Sequence, residues 1–137
     1  MKKITLFIHE PTINKVIGNQ INLLFEEASL LDVINEVDKM LGSEKSFPVP
    51  SYHSLLHMIY YPVENRFYKQ VALTGYRKSG QMVNVRDNPT KELPDEVSIV
   101  LVPTGGCISE WEEAMKYEEF VKALVRIGLQ FSSALCR

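Results

Sequence analysis

Asp95-Glu96-Val97-Ser98-Ile99-Val100-Leu101-Val102-Pro103-Thr104-Gly105-Gly106 is the stretch on which the fold turns. An acidic turn opens it. Val97, Ile99 and Leu101 then alternate with Ser98, Val100 and Val102, and β-branched residues dominate. That pattern predicts a strand buried on at least one face. Pro103 ends the strand because it has no N–H for a ladder bond. The two glycines behind Thr104 have no Cβ to hold them in one conformation.

Upstream, residues 67–76 are strand-like, with Val71-Ala72-Leu73 at the centre. Lys78-Ser79-Gly80 is a turn, residues 82–85 a short strand, and Asp87-Asn88-Pro89 another turn. Further back, residues 4–9 form a strand with Ile4, Leu6 and Ile8 on one side and Thr5 and Phe7 on the other. Residues 11–18 are a connector that can hold one helical turn, and residues 21–26 a second strand. The connector is too long for a tight two-residue turn, so a looped hairpin fits. Ser29 caps a helix, with Asp32 placed to reciprocate. Leu30, Val33, Ile34, Val37 and Leu41 follow at helical spacing, and Gly42 stops the helix. Each of these side chains, once buried, contributes roughly 1.5–3 kcal/mol.

Residues 43–50 are polar and proline-bearing, hence a loop. Residues 51–61 suit a short helix with Tyr52, Leu55, Leu56 and Ile59 inward, ended by Pro62. His53 and His57 stand four apart, the spacing that a two-histidine metal site uses. No third ligand follows and no Glu stands after His53, so two surface or half-buried histidines are the better expectation. Tyr60, Tyr61, Phe67 and Tyr68 are expected in the core and its cover, not in a ligand box.

The Asp95-Glu96-Val97 turn and the Thr104-Gly105-Gly106 end resemble the C-terminal strand of the MoaD/ThiS sulfur carriers, above all the small subunit of molybdopterin synthase. The long connector before Gly18 is also closer to that subunit than to the shorter thiamin-pathway carriers. Two departures stand out. The family often has prolines where Leu101 and Val102 stand, and its chain ends at Gly-Gly, whereas here residues 107–137 follow. The resemblance implies an α+β, β-grasp (ubiquitin-like) domain over residues 1–106. Its mixed sheet would carry a helix across one face, with an insertion at about 43–66 and the last strand beside the first. Residues 107–137 would be a C-terminal helical extension.

That extension opens on Ser109-Glu110-Trp111-Glu112, which has the form of a capping box. Acidic residues come early and Lys122 and Arg126 later, the order that suits a helix dipole. Ala114, Tyr117, Val121, Leu124, Gly128, Phe131 and Leu135 step along one face. One helix over residues 110–135 would be about 39 Å long. A domain of the remaining size has a radius of gyration of about 13 Å. The helix is therefore expected to overhang, to bend near Gly128, or to pack on a second subunit as a homo-oligomer contact.

In the family, an adenylyltransferase resembling ubiquitin-activating enzyme converts the terminal glycine to an acyl-adenylate. Sulfur then displaces the adenylate, and the thiocarboxylate serves a sulfur-accepting enzyme in cofactor synthesis or tRNA thiolation. Carried over, Gly106 bears the sulfur, Gly105 clears the narrow channel, and Thr104 joins both to the sheet. Such a carrier is a substrate protein, not an enzyme, and needs no cofactor. Here Gly106 is in peptide linkage to Cys107, so a processing protease would first have to cut behind it. Some family members carry extensions that a JAMM-type metalloprotease removes, although those tend to be short. The alternative is a β-grasp binding or assembly module, with Gly105-Gly106 only a flexible turn and the helix used for docking. A third reading makes Cys107 a reactive thiol whose pKa is lowered near a helix start; a small residue at a turn explains it equally well.

Composition narrows the classes. The chain of 137 residues carries a net charge of −2, which argues against a broad nucleic-acid surface. His9-Glu10-Pro11 interrupts the first apolar run too early for a secretion signal, and no run is long enough for a bilayer. Cys107 and Cys136 make no metal-ligand pattern, so a cytoplasmic protein with free thiols and no membrane partner is expected.

Overall fold

The computed structural model describes residues 1–42, 54–69, 71–103 and 117–126. In chain order the elements are β1 (Lys2–Ile8), α1 (Pro11–Ile17), β2 (Gln20–Phe25), α2 (Leu30–Leu41), α3 (Leu55–Ile59), β3 (Tyr60–Tyr61), β4 (Arg66–Phe67), β5 (Ala72–Arg77), β6 (Met82–Val83), β7 (Glu96–Val102) and α4 (Tyr117–Arg126). The fold is α+β, with a mixed five-stranded sheet in the order β2-β1-β7-β5-β6 and a separate β3–β4 hairpin.

The centre of the sheet follows from matching alternation in its two longest strands. Ile4, Leu6 and Ile8 of β1 are at most 1% exposed, and Val97, Ile99 and Leu101 of β7 at most 3%. The strands run parallel with Ile4 opposite Val97, Leu6 opposite Ile99 and Ile8 opposite Leu101, so all six side chains share one face. β2 is antiparallel to β1 and adds Ile21 and Leu23; β5 is antiparallel to β7 and adds Leu73. The stripe of α2 (Leu30, Val33, Ile34, Val37 and Leu41, with Leu31) belongs to the same buried cluster. Its capping box is complete: Asp32 N–H donates to Ser29 Oγ at 3.3 Å, and Ser29 N–H donates to Asp32 Oδ2 at 2.9 Å. Gly42 ends the helix with φ 54°.

The helical turn allowed for in the connector between β1 and β2 is present and extends over the seven residues of α1. Pro11 occupies the first turn, where its missing N–H costs nothing. Asn14 N–H donates to Glu10 O and Gly18 N–H to Asn14 O, each at 2.9 Å. Gly18 leaves α1 at φ 79°. Ile13, Val16 and Ile17, spaced three and four apart, turn this short helix onto the core.

The middle of the chain needs three corrections. The short helix is confined to α3, where Ser54 Oγ accepts from His57 N–H at 3.0 Å; residues 51–53 lie outside the described residues. Tyr60 and Tyr61 leave the helix and pair with Phe67 and Arg66 as a hairpin. Edge-on packing of Tyr60 against Phe67, at 5.1 Å between ring centroids, fixes that hairpin. The expected strand over 67–76 is two pieces, β4 and β5. Between them Val71 N–H donates to Tyr68 O at 3.1 Å, and the Arg86 guanidinium donates to both Tyr68 O (2.7 Å) and Val71 O. A tertiary cation thus captures carbonyls that a continuous ladder would have used. Finally, β6 stops at Val83, because the chain turns to bury Val85 beneath Gly75.

Candidate functional site

The residues singled out for chemistry follow β7. At its exit His9 N–H donates to Leu101 O at 2.9 Å, and Val102 sits opposite Ala72. Pro103 is buried and is the last described residue there. Thr104, Gly105, Gly106 and Cys107 lie outside the described residues. What the structure does fix is their launch point, the C-terminal end of a central strand. On the sheet face turned from the core, Phe7, Val100 and Thr74 share one row, with Val102 and Ala72 in the next, closer to the exit. These side chains are half-buried, except that Ala72 is exposed.

The entry of β7 is built differently. Lys3 N–H donates to Asp95 O at 2.7 Å. The Lys2 ammonium lies 3.0 Å from Glu92 and 3.6 Å from Asp95, and donates to Leu93 O. Glu92 Oε2 also accepts from Ala28 N–H at 2.9 Å, which ties this turn to the approach of α2. The hydrogen bond to Glu92, aided by the charges of Glu92 and Asp95, holds the Lys2 pKa above its ordinary value against the opposing effect of burial. The acidic turn was legible in the sequence; Lys2 as its counter-ion was not, since 91 residues separate it from Leu93.

The extension is described only over α4. Phe120, Ala123 and Leu124 are at most 7% exposed, whereas Val121 is 39% and Val125 71% exposed. The buried face is therefore rotated from the expected one: Leu124 is on it and Val121 is not. The Phe120 ring lies 5.1 Å from that of His57, itself 2% exposed on α3. Residues 117–126 thus pack on their own chain. Phe120, the bulkiest apolar residue of α4, was the signal for the true face. The remaining residues of the expected 110–135 helix lie outside the described residues.

His53 lies outside the described residues as well, so its pairing with His57 is not placed. Among the described residues no group of three or more His, Cys, Asp or Glu side chains could hold a metal ion, and no helix is long and apolar enough to cross a membrane. Neither a family model, nor a curated protein, nor a solved structure matches this chain.

Proposed function

We propose that this chain is a β-grasp sulfur carrier of the MoaD/ThiS type, made as a precursor and activated by cleavage behind Gly106. The observation that carries the reading is the central parallel pair. The strand leading to Gly-Gly lies beside the first strand in a β2-β1-β7-β5-β6 sheet. That order supports a ubiquitin-like topology, and the Asp95-Glu96-Val97 and Thr104-Gly105-Gly106 ends support the sulfur-carrier branch of it. Hydrolysis adds water across the Gly106–Cys107 bond, leaving a carboxylate on Gly106 and an amino group on Cys107. An adenylyltransferase then joins the carboxylate to the α-phosphate of ATP, with loss of pyrophosphate. A hydrosulfide equivalent then attacks the acyl carbon and expels AMP, giving the thiocarboxylate for a sulfur-accepting enzyme. The carrier's part is to hold the arm at a rigid strand end.

A chain cut behind Gly106, supplied with ATP and a family adenylyltransferase, should release pyrophosphate and form an acyl-adenylate. The uncut chain should do neither. Equal turnover by both forms, or by neither with a panel of such enzymes, counts against the proposal.

A second reading, the binding or assembly module, draws support from α4. A helix that buries Phe120, Ala123 and Leu124 in the common core is part of the domain and not a detachable cover. Under it, removal of residues 107–137 changes association or partner binding, and the glycine pair has no chemistry.

A further inference from the structure

Among the described residues, α4 meets the part of the chain that precedes Gly106 through Phe120, whose ring lies 5.1 Å from that of His57 on α3. All five residues of α3 are buried. The Asp38 carboxylate of α2 accepts from the first two α3 N–H groups, Leu55 at 2.6 Å and Leu56 at 3.2 Å. Ser54 caps the same helix. α3 is thus anchored through α2 and its own cap, independently of the covalent path to α4. On α4 the apolar anchors Phe120, Ala123 and Leu124 face inward, while Glu118, Glu119, Lys122, Val125 and Arg126 are exposed. The inward face fits one partner, the body of its own chain.

We infer that residues 107–137 stay seated on the body after cleavage behind Gly106, so that the processed protein is a two-chain particle held by Phe120. This inference rests on the cleavage proposed above. It removes the conflict between a core-forming helix and a discarded one. In sequence the new Gly106 carboxylate and Cys107 amino group precede Phe120, the first buried anchor of α4, by more than three helical turns' worth of chain. On this inference the arm gains a free end while the packing of Phe120 on His57 of α3 is kept. Cutting turns an intramolecular contact into a bimolecular one, and retention then depends on the anchors outweighing the lost effective concentration.

The test inserts a site-specific protease sequence directly after Gly106 in the full chain. The protein is cut and run at micromolar concentration on a size-exclusion column, with intact mass measured on each fraction. Both pieces should co-elute at the volume of the uncut chain. Phe120→Ala should separate them, weakening their association by roughly a hundredfold or more. Val125→Ala, on the exposed side, should leave co-elution unchanged. Separation of the unsubstituted pieces, or co-elution untouched by Phe120→Ala, overturns the inference. If Phe120→Ala does not fold before cutting, as judged by circular dichroism, Leu124→Ala replaces it, with weakened co-elution in support and unchanged co-elution against. Absence of a cut form in native cells would defeat the cleavage proposal instead, and leaves the outcome on the engineered cut as it stands.

Discussion

The two ends of β7 are held in different ways. At its start the backbone of Asp95, the side chain of Glu92 and the ammonium of Lys2 tie the strand to β1 and to the approach of α2. At its finish one backbone bond from His9 to Leu101 and the buried ring of Pro103 are the last described holds before Thr104. Between them Val97, Ile99 and Leu101 fix the register by burial. The entry is tied by side chains as well as backbone, whereas the described exit is held by backbone pairing with β1 and β5 and by the burial of Pro103. Under the proposed function this exit is the base from which the glycine arm starts.

The comparison breaks most visibly at its middle. Ile99→Ala empties a fully buried site between β1 and β5 and should cost about 3 kcal/mol in urea denaturation, whereas Val102→Ala at the half-buried exit should cost under about 1 kcal/mol. Equal losses would mean that the exit is as firmly held as the centre. Next in size is Gly75→Ala. A Cβ there would meet Val85 Cγ1 at 2.9 Å and Val83 O at 3.2 Å, so β6 must shift, at a cost of about 1–3 kcal/mol. Glu92→Ala removes the partner of both Lys2 and the Ala28 N–H. Because Glu92 is half exposed, the expected loss is only about 1 kcal/mol, shrinking with salt, read from denaturation midpoints at low and high ionic strength.

The smallest effect is invisible at neutral pH. Burial pushes the Tyr60 hydroxyl up to about 12, and its partner Glu92 raises Lys2. Both groups hold their protons more tightly in the folded chain. Their contribution is complete below the unfolded values near 10 and is lost as pH climbs through the folded ones. Stability should therefore fall on the alkaline side. In a Tyr60→Phe background the remaining fall, followed by denaturation at increasing pH, reports Lys2 and the entry of β7. Adding Glu92→Gln should flatten it, and an unchanged slope would detach Lys2 from that turn.

Much of the fold was written locally. The alternation of β1 and β7, the Ser29 capping box and the α2 stripe need only neighbours three or four residues away, and each formed as expected. What escaped has separate causes. Pro11 starts a helix as well as it breaks one. The break between β4 and β5 depends on Arg86, 15 residues beyond Val71. The inward face of α4 is the stripe Phe120, Ala123 and Leu124, itself at helical spacing, of which a single face drawn over residues 114–135 takes in Leu124 alone. For the site, the launch strand was legible to within a residue, while Thr104, Gly105, Gly106 and Cys107 lie outside the described residues.

The central claim is that the arm works with a free end at Gly106. The most direct measurement is the intact mass of the protein isolated from its own cells under conditions that preserve thioacids. The account predicts a chain ending at Gly106, part of it with one oxygen exchanged for sulfur. Full-length chain alone, in every growth condition tried, would contradict it.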